Sequence, residues 1–234
     1  MMLEAIGNNI WLAEGGIVSS YGFPYPRRSV AVRLEGGCLW IWSPIALTPG
    51  LRGDIEKLGP VRDLVSPNKL HHLYLQDWIA AFPEAKLWGP RSTIKKRRDL
   101  QFQPPLEDKP PPEWAGEIDQ AWFRGSPLLD EIVFFHKPSS TAILADISQN
   151  FSEVFLRRHW SWWQRAIMRL WGMTEGKGYA PLELRLTVTD RERARAAIDK
   201  MLAWAPRRVI MAHGVWQREN GRAYLERAFR WLRP

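Results

Sequence analysis

The chain of 234 residues can bury about 70–75% of its unfolded surface, so it needs no disulfide framework to fold. Its single cysteine, Cys38, lies in an apolar segment and can form no intramolecular pair, which is typical of a buried, inert thiol. The net charge is +8, but neither basic run, 95–98 or 157–169, falls in a recognised nucleic-acid module. We therefore expect no specific nucleic-acid partner, while anionic lipid or an anionic substrate stays open.

The amino terminus lacks the basic start and apolar run of a secretory signal. No segment reaches 18 uninterrupted apolar residues, the minimum for a membrane-spanning helix. We therefore expect a cytoplasmic protein, folded as one domain over residues 1–234.

The first part of the chain predicts strands joined by turns. Three apolar segments predict strands: 9–13, 29–34 and 38–42. The stretch 15–28 is rich in Gly, Pro, Ser and Tyr and is expected to be a long loop that rims a pocket. Tyr21 and Tyr25 are candidate rim residues within it. A short helix is predicted over 49–58, where Pro and Gly flank an amphipathic pattern.

Two adjacent histidines follow the next predicted strand. Residues 61–65 are apolar enough for a strand, and the pattern from Lys69 onward predicts an amphipathic helix. His71 and His72 would then lie in the first helical turn after the carboxyl end of a strand. Open α/β sheets place ligands and chemistry at such ends.

Strand and helix patterns alternate in the remainder, after a proline-dense surface connection over 100–113. Asp146 and His213 each end an apolar, strand-like run. His136 is expected at a hairpin turn, a strand's length from Asp146, and is therefore interpreted as structural. The further predicted strands are 86–88, 121–123, 131–135, 141–146 and 208–212, and the further helices are 190–204 and 218–232.

A helical insertion is predicted over 151–173 and is rich in tryptophan and arginine. Its apolar residues at helical spacing are Leu156, Trp160, Trp163, Ile167, Leu170 and Trp171. A basic helix edged with tryptophan can lie on an anionic membrane surface, so peripheral contact through 156–171 is one interpretation. The alternative is a lid or homodimer helix that packs its tryptophans over the sheets. The sequence favours this alternative, because core-like strands elsewhere already carry many tryptophans.

The order of these features resembles the metallo-β-lactamase fold superfamily. An early strand meander, the histidine-bearing stretch 66–72, a hairpin returning at 144–146 and a late strand ending in His213-Gly214 carry the resemblance. The short motifs 68–74, 82–85 and 134–139 are similar to an uncharacterised branch of that superfamily. The resemblance implies an α/β fold of four αββα layers, with metal bound between the two sheets at the strand ends.

The superfamily's first metal motif is His-x-His-x-Asp-His. When its last histidine is aligned with His72, its first two histidine positions hold Pro67 and Lys69, and its Asp position holds His71. The third histidine of the first metal site is expected in 125–129, where there is none. The resemblance therefore implies that the first site is lost and that Lys69 puts a positive charge near its place.

The second metal site is better retained. The resemblance matches His72, Asp146 and His213 to its ligands, with His71 replacing the other carboxylate. Three histidines and one carboxylate suit a single divalent metal, Zn, Fe or Mn. Asp146 would serve as a ligand, as a base that orients water, or as both. Lys69 joins the two tyrosines above as a candidate substrate-rim residue.

Two functions follow from these residues. The first is a metal-dependent hydrolase with a reduced, mononuclear site that acts on a small molecule with an ester, amide, thioester or phosphoester bond. The second is a catalytically inactive scaffold of the same fold, which binds a small molecule, a partner or a membrane surface.

Overall fold

The computed structural model describes residues 3–20 and 22–233. Its first sheet has six strands in chain order: β1 (Glu4–Gly7), β2 (Ile10–Ser20), β3 (Phe23–Arg33), β4 (Leu39–Trp42), β5 (Val61–Val65) and β6 (Lys86–Trp88). Its second sheet has the order β10-β9-β8-β7: β7 (Ile118–Phe123), β8 (Glu131–His136), β9 (Thr141–Leu144) and β10 (Arg208–Met211). The helices are α1 (Pro49–Leu58), α2 (Leu75–Ala81), α3 (Arg91–Lys96), α4 (Glu153–His159), α5 (Trp162–Trp171), α6 (Leu182–Thr187), α7 (Arg191–Ala203) and α8 (Gly221–Ala228).

Each sheet combines antiparallel with parallel pairing. In the first sheet β4 and β5 run parallel, with Trp42 paired to Val65. In the second sheet β9 and β10 run parallel, with Leu144 paired to Met211. Parallel neighbours end at the same edge of a sheet, so the residues that follow each pair lie close together. Such edges are where α/β proteins place ligands.

The layers follow from which faces are apolar. Both faces of β4 are buried: Trp40 faces the second sheet and touches Phe134 with ring centroids 5.0 Å apart, while Ile41 packs with α1 and α2. Complete burial of one tryptophan side chain contributes roughly 4–6 kcal/mol at about 25 cal/mol per Å². Helices α7 and α8 cover the second sheet through a core that includes Ile198 and Leu225. This αββα order confirms the predicted four-layer sandwich.

The long loop predicted over 15–28 is wrong. The chain forms a hairpin there, in which β2 and β3 pair from Ile10–Val32 to Ser20–Phe23, with an irregularity between Glu14 and Ile17. The prolines of this stretch are tolerated because β4 pairs with β3 only from Val30 onward, so one edge of the hairpin needs no ladder donors.

The insertion predicted over 151–173 is helical, but it forms two helices and not one, because the chain breaks at Trp160-Ser161. The side-chain Oε1 of Gln164 accepts a hydrogen bond of 2.9 Å from the Ser161 N–H, a capping interaction that starts α5 afresh. The break changes the helical phase, so Trp160 is buried while Leu170 is 82% exposed. None of the described helices has the length and hydropathy to cross a bilayer.

Candidate metal centre

Four strand ends deliver the polar residues between the two sheets. Asp146 and His213 each lie two residues beyond β9 and β10, as the parallel register requires. From the first sheet, Ser43 follows β4 directly and His71 lies in the loop after β5. All four side chains line one cavity of about 650 Å³.

The centre of this site is a carboxylate between two imidazoles. Asp146 Oδ2 lies 3.1 Å from His71 Nε2, and Asp146 Oδ1 lies 3.2 Å from His213 Nε2. One ligand atom from each of the three residues lies within 4.8 Å of the others. The cluster is nearly closed to solvent, with only about a tenth of each imidazole side chain exposed.

The remaining ring nitrogens have partners that restrict the proton positions. His213 Nδ1 lies 2.6 Å from the carbonyl oxygen of Pro26, which can only accept, so this nitrogen carries the proton. A neutral His213 then directs the lone pair of Nε2 at an oxygen of Asp146. His71 Nδ1 lies 2.7 Å from the hydroxyl of Ser43, which can donate or accept, so His71 can adopt either tautomer.

These residues fit a divalent cation. Two acceptors facing each other at 3.2 Å need a positive charge between them, either an imidazolium proton or a metal ion. A carboxylate oxygen and two imidazole nitrogens form a donor set that suits Zn, Fe or Mn, and one such atom from each residue lies within 4.8 Å of the others. Metal-binding histidines usually donate the other ring N–H to a carbonyl, as His213 does to Pro26.

The Asn68 amide and the Glu131 carboxylate hold Asp146 in position through hydrogen bonds. Asn68 Nδ2 donates to Asp146 Oδ2 and to Glu131 Oε2, both at 2.9 Å. Glu131 also accepts the backbone N–H groups of Ala145, Asp146 and Ile147, so it fixes the turn that presents Asp146. Both Asn68 and Glu131 are fully buried.

The two carboxylates differ in their electrostatics. Burial by itself would raise the pKa of Asp146, but the positive charge and the hydrogen bonds that His71 and His213 supply when their Nε2 atoms are protonated hold it well below its usual range. Burial and the charge of Asp146 raise the pKa of Glu131 to about 8. The N–H groups that donate to Glu131 oppose this shift, because they favour its ionised form. Asp146 is therefore an anion at neutral pH, ready to hold a cation.

His72 lies outside the cluster, which corrects its predicted role as a ligand. Helix α2 begins at Leu75 and not at Lys69, so His71 and His72 lie in a loop, where adjacent side chains diverge. The Ser66 hydroxyl folds this loop by donating to the carbonyl of His71. The carbonyl of His72 accepts from Arg97 Nη1 at 2.9 Å. Burial, then the charges of Lys96 and Arg97, lower the pKa of the His72 imidazole.

The predicted rim residues line the cavity where they are described. Lys69 and Tyr25 both border it, and the Tyr25 ring lies 5.2 Å from the His213 ring. Burial, followed by the charge of Asp146, raises the pKa of Tyr25, so its phenol stays neutral. Tyr21 lies outside the described residues.

Three contributors were missed from the sequence: Ser43, Asn68 and Glu131. Each had a signal. Ser43 is the polar residue that ends a wholly buried strand, the same feature that singled out Asp146. Glu131 is a charged residue that opens a strand otherwise composed of apolar side chains and His136. Asn68 lies within the histidine-bearing stretch 66–72.

The fold has counterparts among solved structures. A metallo-β-lactamase from Erythrobacter litoralis, with β-mercaptoethanol in its active site, is 12% identical, with 98% of this chain and 95% of that chain covered and a TM-score of 0.66. A metallo-β-lactamase from Pontibacter korlensis is 11% identical, with 98% and 97% covered and a TM-score of 0.63. DIM-1 metallo-β-lactamase exposed to ceftazidime is 16% identical, with 96% and 93% covered and a TM-score of 0.63.

These likenesses establish the metallo-β-lactamase fold, as the sequence motifs implied. No curated protein matches the chain. A family described as a domain of unknown function (DUF4336) matches residues 8–159, which is more than half of the chain and contains three of the four strand ends that form the site. The chain therefore belongs to the DUF4336 family.

Proposed function

We propose that the protein is a metal-dependent hydrolase with one divalent cation, Zn, Fe or Mn, held by His71, Asp146 and His213. The observation that carries this proposal is the His213–Asp146 contact. The carbonyl of Pro26 fixes the proton on Nδ1, so Nε2 and a carboxylate oxygen face each other as two acceptors. A cation held by His71, Asp146 and His213 would remove this conflict.

The side chains have distinct roles in such a site. A bound divalent cation supplies Lewis-acid polarisation of a substrate carbonyl or phosphoryl group and of a water molecule. Asp146 holds negative charge against the cation and can accept a hydrogen bond from attacking water. Ser43 and Pro26 hold the rings of His71 and His213 from behind, so both Nε2 atoms stay directed at the centre.

The cavity wall supports a substrate with an anionic group. Arg27, Lys69 and Lys96 line the cavity, whereas Glu183 is its one acidic residue besides Asp146 among the described residues. The Arg27 guanidinium is fixed by a bond from Nε to the Gly16 carbonyl and by the Tyr74 ring 4.5 Å away. A carboxylate or phosphate near the scissile bond would pair with these cations.

A catalytically inactive scaffold is the second candidate. Both oxygens of Asp146 already have N–H or imidazole partners, so a protonated His213 would complete a hydrogen-bonded cluster without metal. Pro67 and Lys69 stand where the first metal site of the superfamily has histidines. The cavity of such a scaffold would bind a small molecule or partner without turnover.

Metal content separates the two candidates. Protein purified without a histidine tag and dialysed against metal-free buffer should retain about one equivalent of Zn, Fe or Mn by elemental analysis. His71→Ala and His213→Ala should lose it, whereas His72→Ala should keep it. Less than about a tenth of an equivalent in the unsubstituted protein, even after metal is added back, would overturn the hydrolase and favour the scaffold.

A further inference from the structure

The outward side of α5 is apolar. Trp162, Ala166 and Leu170 recur at intervals of four residues, so they lie along one stripe of the helix. All three are exposed, Trp162 by 75% and Leu170 by 82%. A tryptophan and a leucine this exposed on one ten-residue helix differ from the scattered apolar residues of an ordinary surface.

This outward stripe is not needed to hold α5 in place. The opposite side of the helix buries Gln164 and Met168. Gln164 Nε2 donates to the carbonyl of Gly22 at 3.0 Å, and Trp160, which precedes the helix, donates from Nε1 to the carbonyl of Pro24 at 2.7 Å. The inner side thus fixes the insertion against the β2–β3 hairpin, and the outer stripe remains for a contact outside the chain.

The surroundings of the stripe are basic. Helices α4 and α5 carry four arginines, and Glu153 is their only acidic residue. Glu153 is paired with Arg169, whose Nε lies 2.9 Å from its carboxylate. Within residues 3–20 and 22–233, Arg157, Arg158 and Arg165 have no acidic partner. An exposed apolar stripe on an insertion that also carries unpaired arginines matches a surface that offers both hydrocarbon and negative charge.

We propose that this outer face of α5 docks on the surface of a membrane that contains anionic lipid. The charge distribution favours lipid over a second copy of the chain. A symmetric contact through α5 would bring two insertions of net positive charge together, which is repulsive. An anionic bilayer instead attracts the arginines while Trp162 and Leu170 enter the headgroup region.

Docking has a consequence for the cavity. The inner side of the insertion contacts Phe23, whose ring lies 5.3 Å from Trp160 and 5.7 Å from Trp163. Phe23 opens β3, and Tyr25 of the same strand lines the cavity. A membrane seated on α5 would therefore lie next to the hairpin that borders the cavity.

Vesicle flotation tests the proposal. The probes are phosphatidylcholine vesicles with and without about one third phosphatidylglycerol. The protein should float with the anionic vesicles at least about tenfold more tightly than with the neutral ones, and added salt should weaken this binding. Trp162→Ser combined with Leu170→Ser should reduce binding about tenfold or more, and Arg157→Gln combined with Arg158→Gln should reduce it on anionic vesicles only.

Matched controls distinguish docking from diffuse attraction. Leu73→Ser replaces a leucine that is 57% exposed but lies outside the insertion. Lys95→Gln combined with Arg98→Gln removes two exposed charges from the other basic run. These variants should bind as the unsubstituted protein does. Absence of flotation, or equal losses in the controls, would overturn the proposal, as would a dimer by light scattering that the Trp162 and Leu170 changes dissociate.

Discussion

Two buried histidines lie at the ends of strands in the second sheet, at opposite edges. His136 ends β8 and is fully buried, while His213 follows β10 and is 8% exposed. His136 Nδ1 bonds to the Ser139 hydroxyl at 2.7 Å, and its Nε2 is buried without a partner among the described residues. Nδ1 of His213 lies next to the carbonyl of Pro26, and its Nε2 lies next to the carboxylate of Asp146.

The difference shows that neither burial nor position at a strand end makes a histidine functional. The Ser139 hydroxyl donates its proton to Thr141 Oγ1, so it accepts a hydrogen bond from the N–H at His136 Nδ1. Nε2 of the neutral ring then carries a lone pair that is buried without a hydrogen-bond partner among the described residues. Burial lowers the pKa of His136 to about 4, so the ring stays neutral. Nε2 of His213 instead faces the Asp146 carboxylate, and this contact between two acceptors is stabilised by a cation between them.

Replacing Gly214, which follows His213 in the chain, should reduce the free energy of unfolding more than the other changes below. Gly214 has φ of +94° and forms a bridge with Asn150. The Cβ of Gly214→Ala would overlap the carbonyl oxygen of Asn150, so we expect the free energy of unfolding to fall by at least about 3 kcal/mol. Urea denaturation measures this loss.

Gly36→Ala is the matched control for the Gly214 prediction. Gly36 has φ of +92°, but a Cβ there meets open space. It should therefore cost only about 1 kcal/mol, the penalty for an alanine in the left-handed region. Equal losses of unfolding free energy in the two variants would show that the close contact between Gly214 and Asn150 does not constrain the chain next to His213.

Protonation of His136, at the opposite end of the sheet, should reduce the stability of the fold at low pH. Its folded-state pKa of about 4 lies below the usual 6.5, so the unfolded chain binds the extra proton first as the pH falls. The contribution of His136 to stability should therefore be constant above pH 6.5 and decrease by about 2–3 kcal/mol between pH 6.5 and 4. His136→Asn, which keeps a donor for Ser139, should remove this contribution and so change the slope of the unfolding free energy against pH over that window. An unchanged slope would contradict the assignment.

Asn68→Ala should destabilise by about 2 kcal/mol, since it removes the amide between two buried carboxylates. If metal is bound, its affinity should drop about 10- to 100-fold because Asp146 loses its support. Gln120→Ala is the control: this buried amide donates to the carbonyls of Glu107 and Lys109, away from the site. It should reduce stability by a similar amount and leave metal affinity unchanged, as measured by competition with a chelator.

The sequence predicted those features that depend on strand register. Asp146 and His213 follow apolar strands, and parallel pairing of β9 with β10 brings them together wherever those strands end. The structural role of His136 followed from the same reasoning. His72 was aligned with the last histidine of the superfamily's metal motif, but the structure brings His71 to Asp146 instead and leaves His72 outside the cluster. The Ser66 hydroxyl folds this loop, and such loop geometry has no periodic signature in the sequence.

The helical insertion was predicted, but its division into two helices was not, for a related reason. The apolar spacing over 151–173 is nearly helical throughout, and a single cap at Ser161 decides which tryptophans point outward. Asn68 and Glu131 could not be paired from the sequence, because the hydrogen bond that joins them spans 63 residues and depends on how the two sheets stack. Local caps and contacts between sheets are thus the parts of this site that need the three-dimensional structure.

Ser43 offers the smallest and most specific test of the tautomer argument. This buried residue has φ of +50°, a left-handed conformation that costs a non-glycine residue about 1 kcal/mol or more. Ser43→Gly and Ser43→Ala both remove the hydroxyl that bonds His71 Nδ1, but only glycine relieves the backbone. Ser43→Gly should therefore be about 1 kcal/mol more stable than Ser43→Ala in urea denaturation.

Nitrogen-15 NMR of the imidazoles completes the Ser43 comparison. Both variants should change the ring-nitrogen shifts of His71, which loses its hydroxyl partner, and should leave His213 unchanged, since the Pro26 carbonyl still accepts from its Nδ1. A His213 spectrum that changes together with His71 would mean that Asp146 couples the two rings and that Pro26 alone does not fix the proton. The proton on His213 would then follow the state of His71, and the case for a cation between His213 and Asp146 would lose its main support.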